Sequence, residues 1–227
     1  MIFEYNEFLF FLHTLLVIGF VLGALRLGAE GLIALIALQA VLANLFVIKQ
    51  MRFFGFSVTC SDVFAVGSIL SLNLLQERFG KGSAQRAVRI SFLSLVFFFA
   101  MAQIHLLYEP IPSDQTQGAF VSVFSSSLRI VAASIGVYWV VQRLDVVLYG
   151  WLKRFFEGRQ LALRLGISLL ITQLLDTSLF SFFGLYGLVE SLLDVAIVSY
   201  LVKCLVIACA SPMAALAKRL VKNVAEV

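Results

Sequence analysis

Charge is what this chain has least of. Lys, Arg, Asp and Glu make up 13% of the 227 residues, against 61% apolar residues and a mean hydropathy of +1.00. A soluble domain coats its exterior with charge, so this composition excludes an ordinary globular fold and points to the bilayer as solvent. No stretch is polar enough for a separate soluble domain, so residues 1–227 read as one membrane domain. Cysteine is scarce too. Cys60, Cys204 and Cys209 form no C-x-x-C pair and have no nearby His, which argues against a zinc site or a disulfide framework. The two histidines, His13 and His105, fall in separate apolar runs, and H-E-x-x-H, G-x-S-x-G and Gly-rich phosphate loops are all absent. The reading is of a protein that is not an enzyme and carries no cofactor and no metal. Before the first apolar run there is no basic residue, only Glu4 and Glu7, so that run is expected to stay as a helix and not be cleaved as a secretory signal.

What is present is a series of spans. Runs long enough to cross fall near residues 8–25, 31–49, 57–76, 88–108, 120–142, 163–185 and 189–210, punctuated by "RLGAEG", "ERFGKG" and "EPIPSDQTQG". The expected fold is all-α, a polytopic bundle of six to seven transmembrane helices. It comprises an extra first helix at about 8–25 and a core over about 31–212. Gly19 and Gly23 form a G-x-x-x-G pair, read as a packing face against a neighbouring helix.

Thirteen of the 17 basic residues fall on alternate connections: Arg26; Arg78, Lys81, Arg86 and Arg89; Arg143, Lys153, Arg154, Arg159 and Arg164; and Lys218, Arg219 and Lys222. The opposite side holds Glu4, Glu7, Glu109, Asp114 and Glu190, with Lys49 and Arg52 as its cations. The positive-inside rule then gives an outside N-terminus and a cytoplasmic C-terminus. It also accounts for the basic balance of the chain, so direct nucleic-acid binding is not expected.

Polar residues inside the spans carry the functional signal. Asp176 falls in the middle of "SLLITQLLDTSLFSFFGL", where a charge costs about 2.5–3.5 kcal/mol on insertion scales. Gln173, Asp176, Thr177, Phe180 and Gly184 share one helical stripe. Arg129 in the fifth span and Lys203 in the seventh sit at similar depth. Around Arg129 the same face carries Ser125, Ala132, Ala133 and Gly136, small residues that admit a backbone or leave a cavity. Ala37, Ala40 and Asn44 form a similar face in the second span, and Ala196, Ser199, Tyr200 and Lys203 share a side in the seventh. In the third, Asp62, Val66, Asn73 and Glu77 lie within roughly 60° on a helical wheel and could line a passage. Two readings stand: Asp176 with Lys203 or Arg129 as a structural ion pair, or the set as a substrate path. Cation, anion and amide together suit a small planar solute with several hydrogen-bonding groups. They suit a lipid or a bare metal ion less.

The segments "ANLFVIK", "QERFGKGSAQRAVR", "LRIVAAS", "VQRLDVVLY", "TQLLDTSLF" and "YLVKCLVIACASP", in this order over about residues 40–215, resemble the queuosine precursor transporters (YhhQ-like, related to vitamin-uptake transporters). The pattern is departed from at Asn73, where the family is usually acidic, and at Gln76 and Phe79. The resemblance implies uptake of a 7-deazaguanine base (preQ0, preQ1 or queuine) across the inner membrane by a multi-pass protein. Its partners would be that small-molecule nucleobase and the lipid bilayer, with a homodimer as a further possibility. A carboxylate can accept both the N1–H and the exocyclic amine of a guanine-like edge, which gives Asp176 the central role. Gln173 and Asn44 would meet other edge atoms, Arg129 or Lys203 would neutralise Asp176 or donate to the base carbonyl, and Phe180 or Tyr200 would stack on the ring. Glu77, Asp145, Asn73 and Asp62 are expected in gating or coupling, with Asp145 and Glu77 near Arg143 and the inner-loop cations. An alternative is the substrate-binding membrane subunit of an ATP-driven uptake complex; another is a structural or interaction protein with buried ion pairs.

Overall fold

A computed structural model of the chain describes residues 5–47, 49–125, 128–187 and 192–221. The elements are α1 (Tyr5–Arg26), α2 (Ala29–Phe46), a hairpin of β1 (Gln50–Phe53) and β2 (Phe56–Thr59), α3 (Asp62–Leu106), α4 (Gln117–Phe124), α5 (Leu128–Phe155), α6 (Leu161–Phe180) and α7 (Leu192–Val221). A π-helical turn, Ser181–Leu185, prolongs α6. Glu4, Glu190 and Lys222, used above to read the orientation, lie outside the described residues.

Among the described residues, six helices are long and apolar enough to cross a membrane. One of them, α3, has 45 residues, about 67 Å if straight and more than twice the thickness of a bilayer core. It breaks at Gly80, whose φ of +85° and ψ of 171° belong to glycine alone. The two arms, 62–79 and 81–106, double back on each other: Ser68 on the first and Ser91 on the second both lie at the Tyr138 ring. Each arm is long enough to cross, in line with the separate third and fourth spans read from the sequence.

The packing is inverted relative to a soluble protein. Phe20, Leu38, Leu93, Phe97, Leu174 and Leu201 are exposed, whereas Asp62, Asn73, Asp145, Arg164, Gln173 and Lys203 are buried. The first arm of α3 is the centre of the bundle, with every residue from 66 to 76 buried. α1 joins the core through Phe10, Val17, Ile18 and Val21. At Gly67 the approach is close: a Cβ would collide with Gln39 Oε1 of α2 and Val17 Cγ1 of α1. Gly19 and Gly23 are exposed with nothing near a Cβ, so they are not the intramolecular packing face expected of them.

The hairpin is a further departure from the sequence reading. Phe54 (φ 48°) and Gly55 (φ 83°) both have positive φ, the conformation of a tight two-residue hairpin turn. The turn is held by α1: the Phe54 N–H donates to Glu7 Oε1 at 2.7 Å, and Asn6 Nδ2 donates to the Arg52 carbonyl at 3.0 Å. The Phe10 and Phe53 rings meet at 4.6 Å. The span expected at 57–76 therefore begins at Asp62, with the hairpin covering that end of the bundle.

Candidate functional site

Between the hairpin and the centre of the bundle lies a cavity of about 330 Å³, walled by α2, the first arm of α3, α5, α6 with its π-turn, and α7. Its apolar wall includes Ala40, Ile69, Val137, Val141 and Phe180. Facing it are Asn44, Asp62, Gln142, Gln173, Asp176, Thr177 and Lys203. Its volume lies at the small end of the range for ligand sites, and a few convergent polar groups on an apolar surface are the usual composition of one.

Lys203 is the hub. Its ammonium donates to Asp176 Oδ2 and Thr177 Oγ1, each at 2.9 Å, and stands 4.0 Å from Asp62 Oδ1. Ser199 donates to Asp62 Oδ1 at 3.2 Å. One cation is thus shared between two carboxylates. Asp176 keeps 27% of its side chain exposed, toward the cavity, while Asp62 and Lys203 are nearly closed off. Gln173 is fully buried, and among the described residues neither its Oε1 nor its Nε2 has a partner. Gln142 Nε2 donates to Ser68 Oγ at 3.2 Å, and its Oε1 is unpartnered. Asn44 is occupied: Nδ2 donates to the Ala40 carbonyl at 2.9 Å, and Oδ1 accepts a close hydrogen bond from Ser134.

Two expected members are elsewhere. The span read at 120–142 is interrupted at Ser125, and α5 begins only at Leu128, so Arg129 stands in the first turn of its helix and not near the midplane. Arg129 is exposed and donates from Nε to the Phe183 carbonyl at 3.0 Å. Its small-residue face points away from the cavity; Ile130, Ser134, Val137 and Tyr138 form the lining instead. Tyr200 is directed outward, its hydroxyl donating to the Leu170 carbonyl at 3.3 Å. Tyr138, which sequence reasoning passed over, takes the second aromatic place.

The residues expected in gating divide. Asp62 belongs to the cavity. Glu77 lies at the opposite, Arg- and Lys-rich end, where the Arg164 guanidinium grips it at 2.8 and 3.3 Å, Lys153 stands at 3.3 Å, and the Tyr149 hydroxyl donates at 3.2 Å. Arg164 also donates to the Arg159 and Gly158 carbonyls at 2.8 and 3.0 Å and is wholly buried. The sequence suggested Arg143 as a partner at this end, but its guanidinium sits over the Trp139 ring at 4.0 Å. Asp145 is between the two groups, fully buried, with Ser168 donating to its Oδ1 at 2.7 Å. Asn73 is beside it, with no hydrogen bond of ordinary geometry closed between them. Tyr149, Arg164, Ser168 and Thr172 were not singled out; spacing of four along α6 from Arg164 was the available signal.

A helical bundle with an exposed apolar belt and a buried polar interior around a central cavity defines a multi-pass membrane protein. Residues 59–217 match the family described as putative vitamin uptake transporter. A probable queuosine precursor transporter of Bacillus subtilis (strain 168) is 32% identical over 216 residues, covering 93% of this chain and 93% of that protein. The chain belongs to this family, the queuosine precursor transporters and their vitamin-uptake relatives. No solved structure matches it.

Proposed function

We propose that the chain carries a 7-deazaguanine base (preQ0, preQ1 or queuine) through the cytoplasmic membrane, and that the central cavity is where the base binds. The observation that carries this reading is Gln173, an amide buried against the cavity with both polar atoms unpartnered. Leaving such groups unsatisfied costs about 1–3 kcal/mol, and a planar heterocycle that supplies one donor and one acceptor removes the cost. Beside it, Asp176 accepts the N1–H and the exocyclic amine of the base. Lys203 holds that carboxylate in place from behind and balances its charge. Phe180 and Tyr138 offer faces to the ring. Asn44, already bonded at both ends, shapes the wall.

The orientation follows the charges. The end carrying Arg78, Lys81, Lys153, Arg154 and Arg159 faces the cytoplasm, and the hairpin end faces outward. In this arrangement the cavity extends to Gln50 and Thr59 at the outer end. Below Gln142 the way is closed by buried Leu72, Leu75, Tyr149 and Leu169.

The test is ligand-induced thermal shift of the purified protein with preQ0, preQ1, queuine and guanine, for wild type and Asp176→Asn. Saturable stabilisation by a deazaguanine, lost in the folded variant together with uptake, supports the site. Full uptake by Asp176→Asn at wild-type protein levels would sink it.

A further inference from the structure

One face of α5 carries a stripe of polar residues along most of its length. Ser134, Tyr138, Gln142, Asp145, Tyr149 and Lys153 are spaced by three or four residues and fall within about 100° of the helical wheel. They extend about 29 Å along the axis, close to the thickness of a hydrocarbon core. The stripe starts in the cavity wall and ends at the Glu77 group. Arg164, Ser168 and Thr172 of α6, all fully buried, oppose its lower half.

Asp145 is the one carboxyl group of the stripe, a turn below the cavity floor at Gln142. From α3 the groups facing it are Asn73 and, further down, Glu77. Its own helix contributes Tyr149, and α6 contributes Ser168, Thr172 and Arg164. The charged ones are already committed: Arg164 and Lys153 to Glu77, and Lys203 of α7, above, to Asp176 and Asp62. Among the described residues no Lys or Arg forms an ion pair with Asp145. A buried carboxylate with no cation is costly, and a proton cancels that charge without moving a helix.

We propose that Asp145 is the binding site of a co-transported proton that drives uptake. The inference rests on the uptake reading above. A proton from the outer medium enters by the cavity and is held as the Asp145 carboxylic acid. It leaves to the cytoplasmic side once the helices part there, regenerating the carboxylate. One proton is carried in with each base, and nothing is oxidised or reduced. Glu77 and Asp62, fixed by their cations, do not exchange.

The experiment uses the full chain in liposomes, unloaded for accumulation and preloaded with the best-binding deazaguanine for exchange. Wild type is expected to accumulate the base only under an inward proton gradient and to acidify the lumen as the base enters. Asp145→Asn is expected to keep ligand-induced thermal stabilisation and gradient-free exchange of labelled for unlabelled base, while losing gradient-driven accumulation. Ser168→Ala, which removes a donor to the carboxylate, is expected to displace the pH profile of accumulation without changing exchange. Wild-type accumulation indifferent to the proton gradient, without lumen acidification, overturns the proposal while leaving uptake standing. So does gradient-driven accumulation that survives Asp145→Asn. Failure of wild-type exchange itself, in protein shown to be folded, overturns the uptake reading and this proposal with it.

Discussion

The protein holds two buried groups of opposite charges, and they are built differently. At the basic end Arg164 is well satisfied: four hydrogen bonds run from its guanidinium to Glu77 and to two loop carbonyls, and Lys153 and Tyr149 complete the carboxylate's shell. Around the cavity one lysine serves two carboxylates, while among the described residues both polar atoms of Gln173 and single oxygens of Asp62 and Gln142 have no partner. A saturated cluster has nothing to offer a solute; it ties three helices and a loop together. An under-satisfied one holds hydrogen-bonding capacity in reserve, at a cost to stability that only a ligand recovers.

The contrast is best broken at the strong end. Arg164→Ala strands Glu77 in the interior and is expected to cost about 3–5 kcal/mol, read as loss of monodisperse protein or a large fall in Tm in detergent. The double variant Arg164→Met/Glu77→Gln should recover much of it, since paired removal leaves no bare charge. Gln173→Leu should behave in the opposite way. Replacing an unpartnered amide by an apolar side chain is expected to leave Tm unchanged or raise it, by up to about 1–3 kcal/mol of stability, while the ligand-induced shift disappears. A fall in stability equal to that of Arg164→Ala would erase the distinction between the two groups. Gly80→Ala meets no atom within 4 Å, so its effect is purely conformational, about 1–3 kcal/mol in Tm and chemical denaturation, with ligand affinity intact. Smallest of all, Arg129→Ala should change ligand affinity by no more than about 0.5 kcal/mol, because that side chain is exposed at the start of α5, away from the cavity.

Much of this was legible beforehand, for physical reasons. Hydropathy runs and charge clusters place the crossings, because bilayer thickness and backbone hydrogen bonding leave few alternatives. The stripe of Gln173, Asp176, Thr177 and Phe180 was readable because four residues on one helical face must meet whatever that face meets. The hairpin was hidden by its own composition: Phe53, Phe54, Phe56 and Val58 are as apolar as the spans beside them, and Phe54–Gly55 was the local clue to a turn. Arg129 was misplaced because the break at Ser125 carries no proline or charge. Arg164 was counted as a loop cation, which its position in the chain suggests, yet its guanidinium reaches back into the bundle. A count of loop charges cannot separate an arginine that meets water from one that meets Glu77.

The reversal at Gly80 has a consequence for how the protein reaches the membrane. The first arm of α3 carries Asp62, Asn73 and Glu77, and in the finished bundle none of its residues from 66 to 76 touches lipid. Alone it would enter a bilayer poorly. The second arm, with Leu93, Val96, Phe97 and Met101 on its outer surface, enters readily. Joined through a single residue, the two arms are expected to insert together as one hairpin, the apolar arm carrying the polar one across.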